Sequence, residues 1–208
     1  MLCHHYKCIF VHIPKNAGQS VERIFLNLLG LTWRTRASLL LRTNHNPALG
    51  PPRLAHLKAD EYVRYQYVPQ IMFDEYFKFA FVRNPWCRLV SLYKYLEYVN
   101  KCDFKTFLFS EFKKTLTKEM PWFISPQRDF ICSDDGTLLV DYIGRFESLQ
   151  NDFNVVCEKI GIPKTKLPHI NKSPASVSPA YQDYYDEESM EFVAQFYQKD
   201  IEMFDYNF

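Results

Sequence analysis

The sequence predicts an α/β protein with three layers, in which a parallel central sheet is covered by helices on both faces. Short apolar runs typical of buried strands alternate with segments in which apolar residues recur at helical spacing. Each of the first two runs leads into a tight turn rich in hydrogen-bond donors and then into a helix. The sequence shows no internal repeat, so we expect its 208 residues to form a single domain, residues 1–208.

The first strand, loop and helix are predicted near the start of the sequence. Residues 7–13 are expected to form a buried strand, and residues 20–29 a helix whose apolar side chains share one face. Gly30 is suited to end this helix, because glycine adopts a left-handed conformation at low cost. The loop between the strand and the helix carries Lys15 and Gly18.

The second unit repeats this order. Residues 77–82 are predicted to form a buried strand that ends immediately before Arg83. Asn84 is a suitable N-cap and Pro85 a suitable first helical residue, and apolar residues then continue at helical spacing as far as Val99.

The rest of the sequence alternates in the same way. Residues 31–55 are predicted to form an irregular loop rich in Asn, Pro and Gly, followed by a short helix at 58–67. The remaining predicted elements are a helix at 104–118, a strand at 138–143, a helix at 149–160 that ends at Gly161, a Pro- and Ser-rich loop at 168–179, and a helix at 186–197.

Both units have the pattern of a phosphate-binding element. The first N–H groups of a helix lack internal partners and its dipole attracts anions, so a strand, a loop and a helix N-terminus together favour phosphate. Two P-loop-like units of this kind suggest one ligand with two phosphate groups. Neither is a Walker A loop, because the pattern G-x-x-x-x-G-K-[ST] is absent from the sequence.

These motifs resemble those of sulfotransferases that use 3′-phosphoadenosine 5′-phosphosulfate (PAPS), in particular the carbohydrate-type family that includes the heparan 2-O-sulfotransferases and many bacterial relatives. The resemblance implies that Arg83 and Ser91 hold the 3′-phosphate and that Lys172, in the late Pro- and Ser-rich loop, also contacts the nucleotide. The first loop is implied to hold the 5′-phosphosulfate through Lys15, Asn16, Ala17, Gly18, Gln19 and Ser20. Gln19 is a departure, since relatives usually carry Thr or Ser there.

Two residues are candidates for the chemistry of transfer. Lys15 can stabilise the oxygen that bridges sulfur and phosphorus, where negative charge grows as the bond breaks. His56 lies in a segment that resembles the one supplying the family's catalytic histidine, and an imidazole suits a general base near neutral pH. His45, in the polar loop, is the alternative base, and His12 is expected to be packed inside the first strand.

The implied activity is transfer of a sulfuryl group from PAPS to a hydroxyl of an acceptor, with a glycan or another small molecule as the acceptor and an anionic one among those open. No metal is implied. One alternative is a nucleotide kinase, which would require the missing Walker A loop. The other is a protein that binds 3′-phosphoadenosine 5′-phosphate (PAP) without catalysis.

Charge excludes some partners and suggests others. The net charge is +1, which argues against nonspecific nucleic-acid binding. The sequence has no Asp or Glu between Arg23 and Ala59. This acid-free segment predicts an electropositive face where an anionic acceptor could enter, and its arginines after Arg23 are Arg34, Arg36, Arg42 and Arg53.

Cysteine usage and hydropathy indicate the compartment. The six cysteines are scattered without a C-x-x-C pair, which is typical of reduced thiols in the cytosol. Cys3, His4, His5 and Cys8 lie close in sequence, but no second pair at zinc spacing accompanies them, so no metal site is expected. No apolar run reaches the roughly 18 residues of a membrane span. We therefore expect a cytoplasmic protein of bacterial type. The alternative is a protein from which an N-terminal membrane anchor, such as Golgi relatives of the family carry, has been removed.

Overall fold

The computed structural model describes residues 1–168 and 179–208. The chain divides into two compact units, each built from two stretches of sequence. Unit 1 comprises Met1–Val82 and Asp129–Ile170, and unit 2 comprises Arg83–Arg128 and Asn171–Phe208. The expectation of one domain over residues 1–208 stays a prediction.

Unit 1 contains a four-stranded sheet within the described residues. Its strands lie in sequence order: β1 (Leu2–Cys3), β2 (Cys8–Val11), β3 (Phe77–Val82) and β4 (Tyr142–Arg145). The strands β2, β3 and β4 are parallel, and the short β1 pairs antiparallel with β2 at the edge. The α/β class and the largely parallel sheet are therefore confirmed, and the antiparallel edge strand is an addition.

Both faces of this sheet are buried. On one face, Phe10, Phe79 and Phe81 pack in a single apolar cluster with side chains of α1 (Gly18–Leu28) and α9 (Leu149–Ile160). Burying each of these rings stabilises the fold by about 1.5–3 kcal/mol. Side chains of the opposite face, such as Ile9 and Ala80, are also fully buried.

Lys78 shows what covers the opposite face. Its Nζ is buried and donates to the carbonyl oxygens of Phe73, at 3.0 Å, and of Tyr76, at 2.8 Å. Phe73 belongs to α3 (Gln70–Glu75), which follows the single turn of α2 (Glu61–Arg64). Nζ also pairs with Asp141 at 3.0 Å, so the buried ammonium is compensated.

Unit 2 is helical and its core is aromatic. Rings of Trp86, Tyr93, Phe107, Phe112 and Tyr197 are buried in one cluster, which accounts for much of the high Phe and Tyr content. The helices in this unit are α4 (Pro85–Tyr95), α5 (Phe104–Thr106), a π-helical stretch (Phe107–Leu116), α6 (Thr117–Glu119), α7 (Pro121–Ile124), α10 (Glu187–Phe196) and α11 (Gln198–Phe204). The short α8 (Arg128–Ile131) spans the point where the chain returns to unit 1.

The long loop predicted at 31–55 contains short 3-10 turns. They are Arg36–Leu39, Pro47–Leu49 and Leu54–His56, and further 3-10 turns occur at Tyr98–Asn100, Phe146–Ser148 and Tyr181–Tyr184. In the two described ranges, no helix is both long and apolar enough to cross a membrane.

Several predicted boundaries are confirmed. The strand β3 occupies residues 77–82 as expected, and Asn84 caps α4 by accepting hydrogen bonds from the N–H groups of Trp86 and Cys87. Gly161 ends α9 in the left-handed conformation, as predicted.

Three predictions need correction. The strand expected at 7–13, β2, covers only Cys8–Val11. The helix expected at 58–67 is the single turn α2, Glu61–Arg64, and the positive φ at Gln66 prevents it from continuing to residue 67. The strand expected at 138–143, β4, begins only at Tyr142, because the Asp141 carboxylate accepts the hydrogen bond of the Lys78 N–H at 2.7 Å. Leu138 instead forms an isolated bridge with Cys132.

Candidate active site

The loop from β2 to α1 has a strained backbone. Lys15 has φ 72° and Ala17 has φ 60°, left-handed values that cost a non-glycine residue about 1–3 kcal/mol each. Asn16 lies between them with 1% of its surface exposed, and its Nδ2 donates to the carbonyl oxygen of Phe81 in β3 at 2.7 Å. This bond ties the loop to the carboxyl end of the neighbouring strand.

The N-terminus of α1 is suited to an anion. Ala17 stands at the N-cap position and has no side-chain oxygen that could accept from the first N–H groups. The first turn, with Gly18, Gln19 and Ser20, carries no acidic residue, so the positive end of the helix dipole is not offset there. Lys15 precedes this turn and is half-buried. Charge and donors here match what a phosphate or sulfate requires.

Gly18 is needed because of close packing. A Cβ added at this position would overlap the imidazole ring of His12. The helix therefore begins with its backbone directly against that ring. This contact fixes the distance between the end of β2 and the first turn of α1.

His12 follows β2 and is paired with a buried carboxylate. Its Nδ1 lies 2.6 Å from Oε1 of Glu22, which is one turn into α1, and both side chains are almost fully buried. The ring stacks on Phe10 with centroids 5.5 Å apart. The expectation that His12 is packed is thus confirmed, but its charged partner was not anticipated.

His56 is brought to the same place from a distant part of the sequence. It ends the 3-10 turn Leu54–His56, is 7% exposed, and its ring centroid lies 4.4 Å from that of His12. Nδ1 of His56 lies 2.9 Å from the carbonyl oxygen of His12. A carbonyl only accepts, so Nδ1 carries the proton and Nε2 carries the lone pair. This tautomer is the one a base needs if it acts through Nε2.

The surroundings keep His56 neutral. Burial first, and then the nearby imidazole of His12, lower the pKa of His56 well below its ordinary range. At neutral pH the ring is therefore in the form that can accept a proton. His45, the alternative base, is exposed within the acid-free segment.

Arg83 is the first residue of unit 2, and one side chain, that of Gln127, binds both its N–H and its carbonyl group. Its N–H donates to Oε1 of Gln127 at 2.9 Å, and its carbonyl accepts from Nε2 of Gln127 at 2.8 Å. Gln127 is completely buried, and its own N–H donates to Asp200 in α11 at 2.8 Å. Burial raises the pKa of Asp200, while the N–H groups of Arg128 and Gln127 oppose that shift.

The side chain of Arg83 lies along α4. Its Nε and Nη2 are 3.3 and 3.0 Å from Sγ of Cys87. Ser91 follows Cys87 by one helical turn, and residues with this spacing share a face about 5–6 Å apart. Arg83 and Ser91 are therefore on the same side of α4. Arg88 turns to another side, where its guanidinium donates to the Ser125 carbonyl.

Within unit 1 the structure brings together the first loop, His12, Glu22 and His56. The sequence predicted a role for the loop and for His56, and these roles stay predictions. It did not indicate the contact of Glu22 with His12, because a glutamate in the second turn of a helix ordinarily faces solvent. It also missed Gln127, for which the sequence carries no signal. Lys172 lies outside the described residues. In the part of the chain that is described, no group of three or more His, Cys, Asp or Glu is arranged to hold a metal.

Comparison with known proteins identifies the family. The sequence matches the model of the Sulfotransferase family over residues 1–207. An uncharacterized protein of Archaeoglobus fulgidus is 33% identical over 103 residues, which make up 48% of this chain and 80% of that protein. No solved structure matches the chain. The family match includes the loop after β2, the segment of His56 and the start of α4, and with it the predicted resemblance is confirmed: the chain belongs to the Sulfotransferase family.

Proposed function

We propose that the protein transfers a sulfuryl group from PAPS to a hydroxyl of an acceptor by in-line displacement. Membership of the family supports sulfuryl transfer in general. The observation that supports a phosphosulfate donor and a histidine base lies in unit 1. There, the N-terminus of α1 follows Lys15, has no side-chain cap and lies against the ring of His12, and the carbonyl of His12 accepts a hydrogen bond from the neutral imidazole of His56.

The donor's 5′-phosphosulfate is assigned to the first loop. The first turn of α1, with Gly18 and Gln19, and the hydroxyl of Ser20 are proposed to donate to its oxygens, while the N–H of Ser20 already donates to the Ala17 carbonyl at 2.9 Å. The dipole of α1 adds attraction. The strained conformations of Lys15 and Ala17 support a binding role, because such strain concentrates where a loop is shaped for a ligand.

The donor's 3′-phosphate is assigned to Arg83 and Ser91. A guanidinium presents a planar pair of donors that fits two phosphate oxygens, and a serine hydroxyl adds a directed bond. The backbone of Arg83 is held by Gln127, which lowers the entropy lost when the guanidinium binds. Lys172 is proposed as a further nucleotide contact on the family pattern alone.

The chemical step is a single displacement. The acceptor oxygen forms a bond to sulfur as the bond from sulfur to the bridging oxygen breaks, and the electron pair of that bond stays on the 5′-phosphate of PAP. Nε2 of His56 takes the hydroxyl proton, while Lys15 stabilises the charge that grows on the bridging oxygen. Positioning of donor and acceptor supplies much of the remaining acceleration.

The acceptor is proposed to be a glycan or another small hydroxyl compound. A binding and transfer assay tests the proposal. PAP without added metal should raise the melting temperature, and at 100 times its dissociation constant it should add about 2.7 kcal/mol to the free energy of unfolding. Labelled PAPS, offered with a panel of saccharides, glycolipids and simple alcohols, should yield a sulfated product identifiable by mass spectrometry.

Two results would contradict the proposal. A melting shift with ATP and magnesium but none with PAP would indicate a kinase. PAP binding that is unchanged in a His56→Ala variant, together with no transfer by the wild-type protein to any acceptor, would indicate a binding protein without catalysis. The expected result is that His56→Ala binds PAP normally but loses about 10² to 10⁴ in transfer rate.

A further inference from the structure

Glu22 and His12 are a buried polar pair that the displacement itself does not use. Glu22 is 3% exposed, and its hydrogen bond to Nδ1 of His12 measures 2.6 Å. Placing a carboxylate in the interior is unfavourable unless it is paired, so the bond to His12 compensates for part of the cost of burying Glu22. The surroundings of His12 indicate what this pair does in the structure.

The two ends of His12 serve two different elements. Its imidazole bonds to Glu22 of α1, stacks on Phe10 of β2 and lies directly against Gly18. Its carbonyl accepts the Nδ1 proton of His56. The side chain of His12 therefore anchors the peptide group that orients His56.

The tautomer of His56 depends on that peptide group. A neutral imidazole in water has two tautomers, and a fixed acceptor at Nδ1 selects the one in which Nε2 carries the lone pair. If the carbonyl of His12 turns away, nothing at Nδ1 favours one tautomer of His56 over the other, and its ring is no longer held in a fixed position. In other enzymes, groups that orient a catalytic imidazole in this way strongly affect the rate.

From this arrangement we infer that Glu22 and His12 form a positioning pair, which holds the carbonyl of His12 so that His56 presents Nε2 to the acceptor hydroxyl. The inference rests on the proposed function of His56 as the base. Neither Glu22 nor His12 contacts a reacting atom in this account. The pair acts through the backbone, because one hydrogen bond joins two residues ten apart in sequence, His12 before the first turn of α1 and Glu22 after it.

The test removes the pair without leaving a buried charge. A His12→Phe/Glu22→Leu double variant deletes donor and acceptor together, keeps a ring to stack on Phe10, and avoids an unpaired carboxylate. Glu22→Gln is the conservative variant, because its amide oxygen still accepts from Nδ1 of His12. Glu61→Gln is the matched control: Glu61 is another buried carboxylate of unit 1, bonded instead to the Lys58 N–H and Arg64.

The first readout needs no substrate. Long-range ¹H–¹⁵N spectra of protein with ¹⁵N-labelled histidine separate the two tautomers of His56, assigned through a His56→Gln variant. Wild type, Glu22→Gln and Glu61→Gln should show the proton on Nδ1, and the double variant should show a mixture. The second readout is PAP release from PAPS with the best acceptor of the panel. The double variant should lose about 10- to 100-fold in kcat while the PAP-induced melting shift is retained.

Several results would overturn the inference. A folded double variant with the Nδ1 tautomer intact and wild-type kcat would show that the pair only fills space. A loss in Glu22→Gln as large as that of the double variant would show that charge, rather than the orienting bond, is what matters. Because the tautomer is read in the free protein, failure here is distinguishable from failure of the proposed activity, which would appear as absent transfer in the wild type.

Discussion

At the scale of single residues, charge and backbone conformation coincide at Lys15. Lys15 has a φ of 72°, a conformation that glycine adopts at a lower cost in free energy. A lysine at this position is therefore explained by what its side chain does and not by the backbone. The transition state of sulfuryl transfer places negative charge on the bridging oxygen, and an ammonium nearby lowers the barrier more than it strengthens binding of the ground state.

We predict that Lys15→Ala lowers kcat by about 10² to 10³ and changes the dissociation constant of PAP only slightly. Lys7→Ala is the matched control, since Lys7 is also a lysine with a positive φ, 45°, and is exposed. Steady-state kinetics with labelled PAPS and a titration with PAP measure the two quantities. Equal kcat in the two variants would exclude Lys15 from the chemistry.

At the scale of elements, the start of α1 is defined by contact with His12. Gly18 allows the helix backbone to lie against the imidazole. The loop between His12 and Gly18 cannot shift easily, because Asn16 is hydrogen-bonded to β3. A methyl group at this position must displace either the ring or the helix. Both movements would alter the proposed phosphosulfate site.

Gly18→Ala should therefore lower the free energy of unfolding by about 1–3 kcal/mol, as overpacking does, although alanine ordinarily favours a helix. It should also abolish the melting shift caused by PAP. Gly30→Ala provides the comparison: no atom lies within 4 Å of its added Cβ, and only its φ of 63° opposes the change. This control should lose stability but bind PAP normally, and loss of binding in both variants would argue against a local effect at Gly18.

Two arginines of the acid-free segment are exposed, and a third packs on a tryptophan ring. Arg34 and Arg42 are exposed, and the guanidinium of Arg36 lies 4.2 Å from the centre of the exposed Trp33 ring. Among the described residues, none of the arginines from Arg23 to Arg53 forms an ion pair with a carboxylate. Their charge is thus available to attract an anion from solution.

If the acceptor is anionic, Arg34→Glu/Arg42→Glu should raise its KM and leave PAP binding intact. The KM of the wild type should also rise with salt, because a field of this kind is screened over about 8–10 Å at physiological ionic strength. Arg64→Glu is the control, since Arg64 is neutralised by Asp60 and Glu61. An unchanged KM in the double variant would mean that the acceptor approaches elsewhere.

At the scale of the whole molecule, buried histidine links stability to pH. His56 has a lowered pKa in the folded protein, so below its ordinary value of about 6.5 the unfolded chain binds a proton that the folded protein does not. Acidification therefore favours unfolding, by at most about 1.4 kcal/mol per pH unit from this one group. Above pH 6.5 the group contributes no pH dependence.

We expect the free energy of unfolding to fall between pH 6.5 and 5, and to fall less steeply in His56→Gln. Urea unfolding at several pH values measures the slope. His45→Gln is the control, because it removes an exposed imidazole and leaves the contact of His56 with His12 untouched. Identical slopes in wild type and His56→Gln would show that His56 is protonated freely in the folded state.

The parts that could be predicted from sequence are those determined by neighbouring residues. The strand at 77–82 is an aromatic and apolar run that ends before a capping Asn and a Pro, so local signals alone define it. The start of β4 was misplaced because the Lys78 N–H donates to the carboxylate of Asp141, a tertiary hydrogen bond that no local pattern predicts. Likewise, the contact of His56 with the carbonyl of His12 joins residues 44 apart, and no local pattern announces it.

The interleaving of the two units bears on how the chain folds during synthesis. Strand β3 ends at Val82, but its parallel partner β4 begins only at Tyr142, after the whole first stretch of unit 2. At a translation rate of about 5–20 residues per second, the roughly 60 intervening residues take about 3–12 s to appear. During that interval β3 has been synthesised but the edge that will pair with β4 has no partner. The aromatic helical segment that follows it also lacks the second stretch of unit 2. The nascent chain thus exposes an unpaired strand edge and apolar side chains for seconds, and a chaperone that prevents aggregation would have to bind in this period.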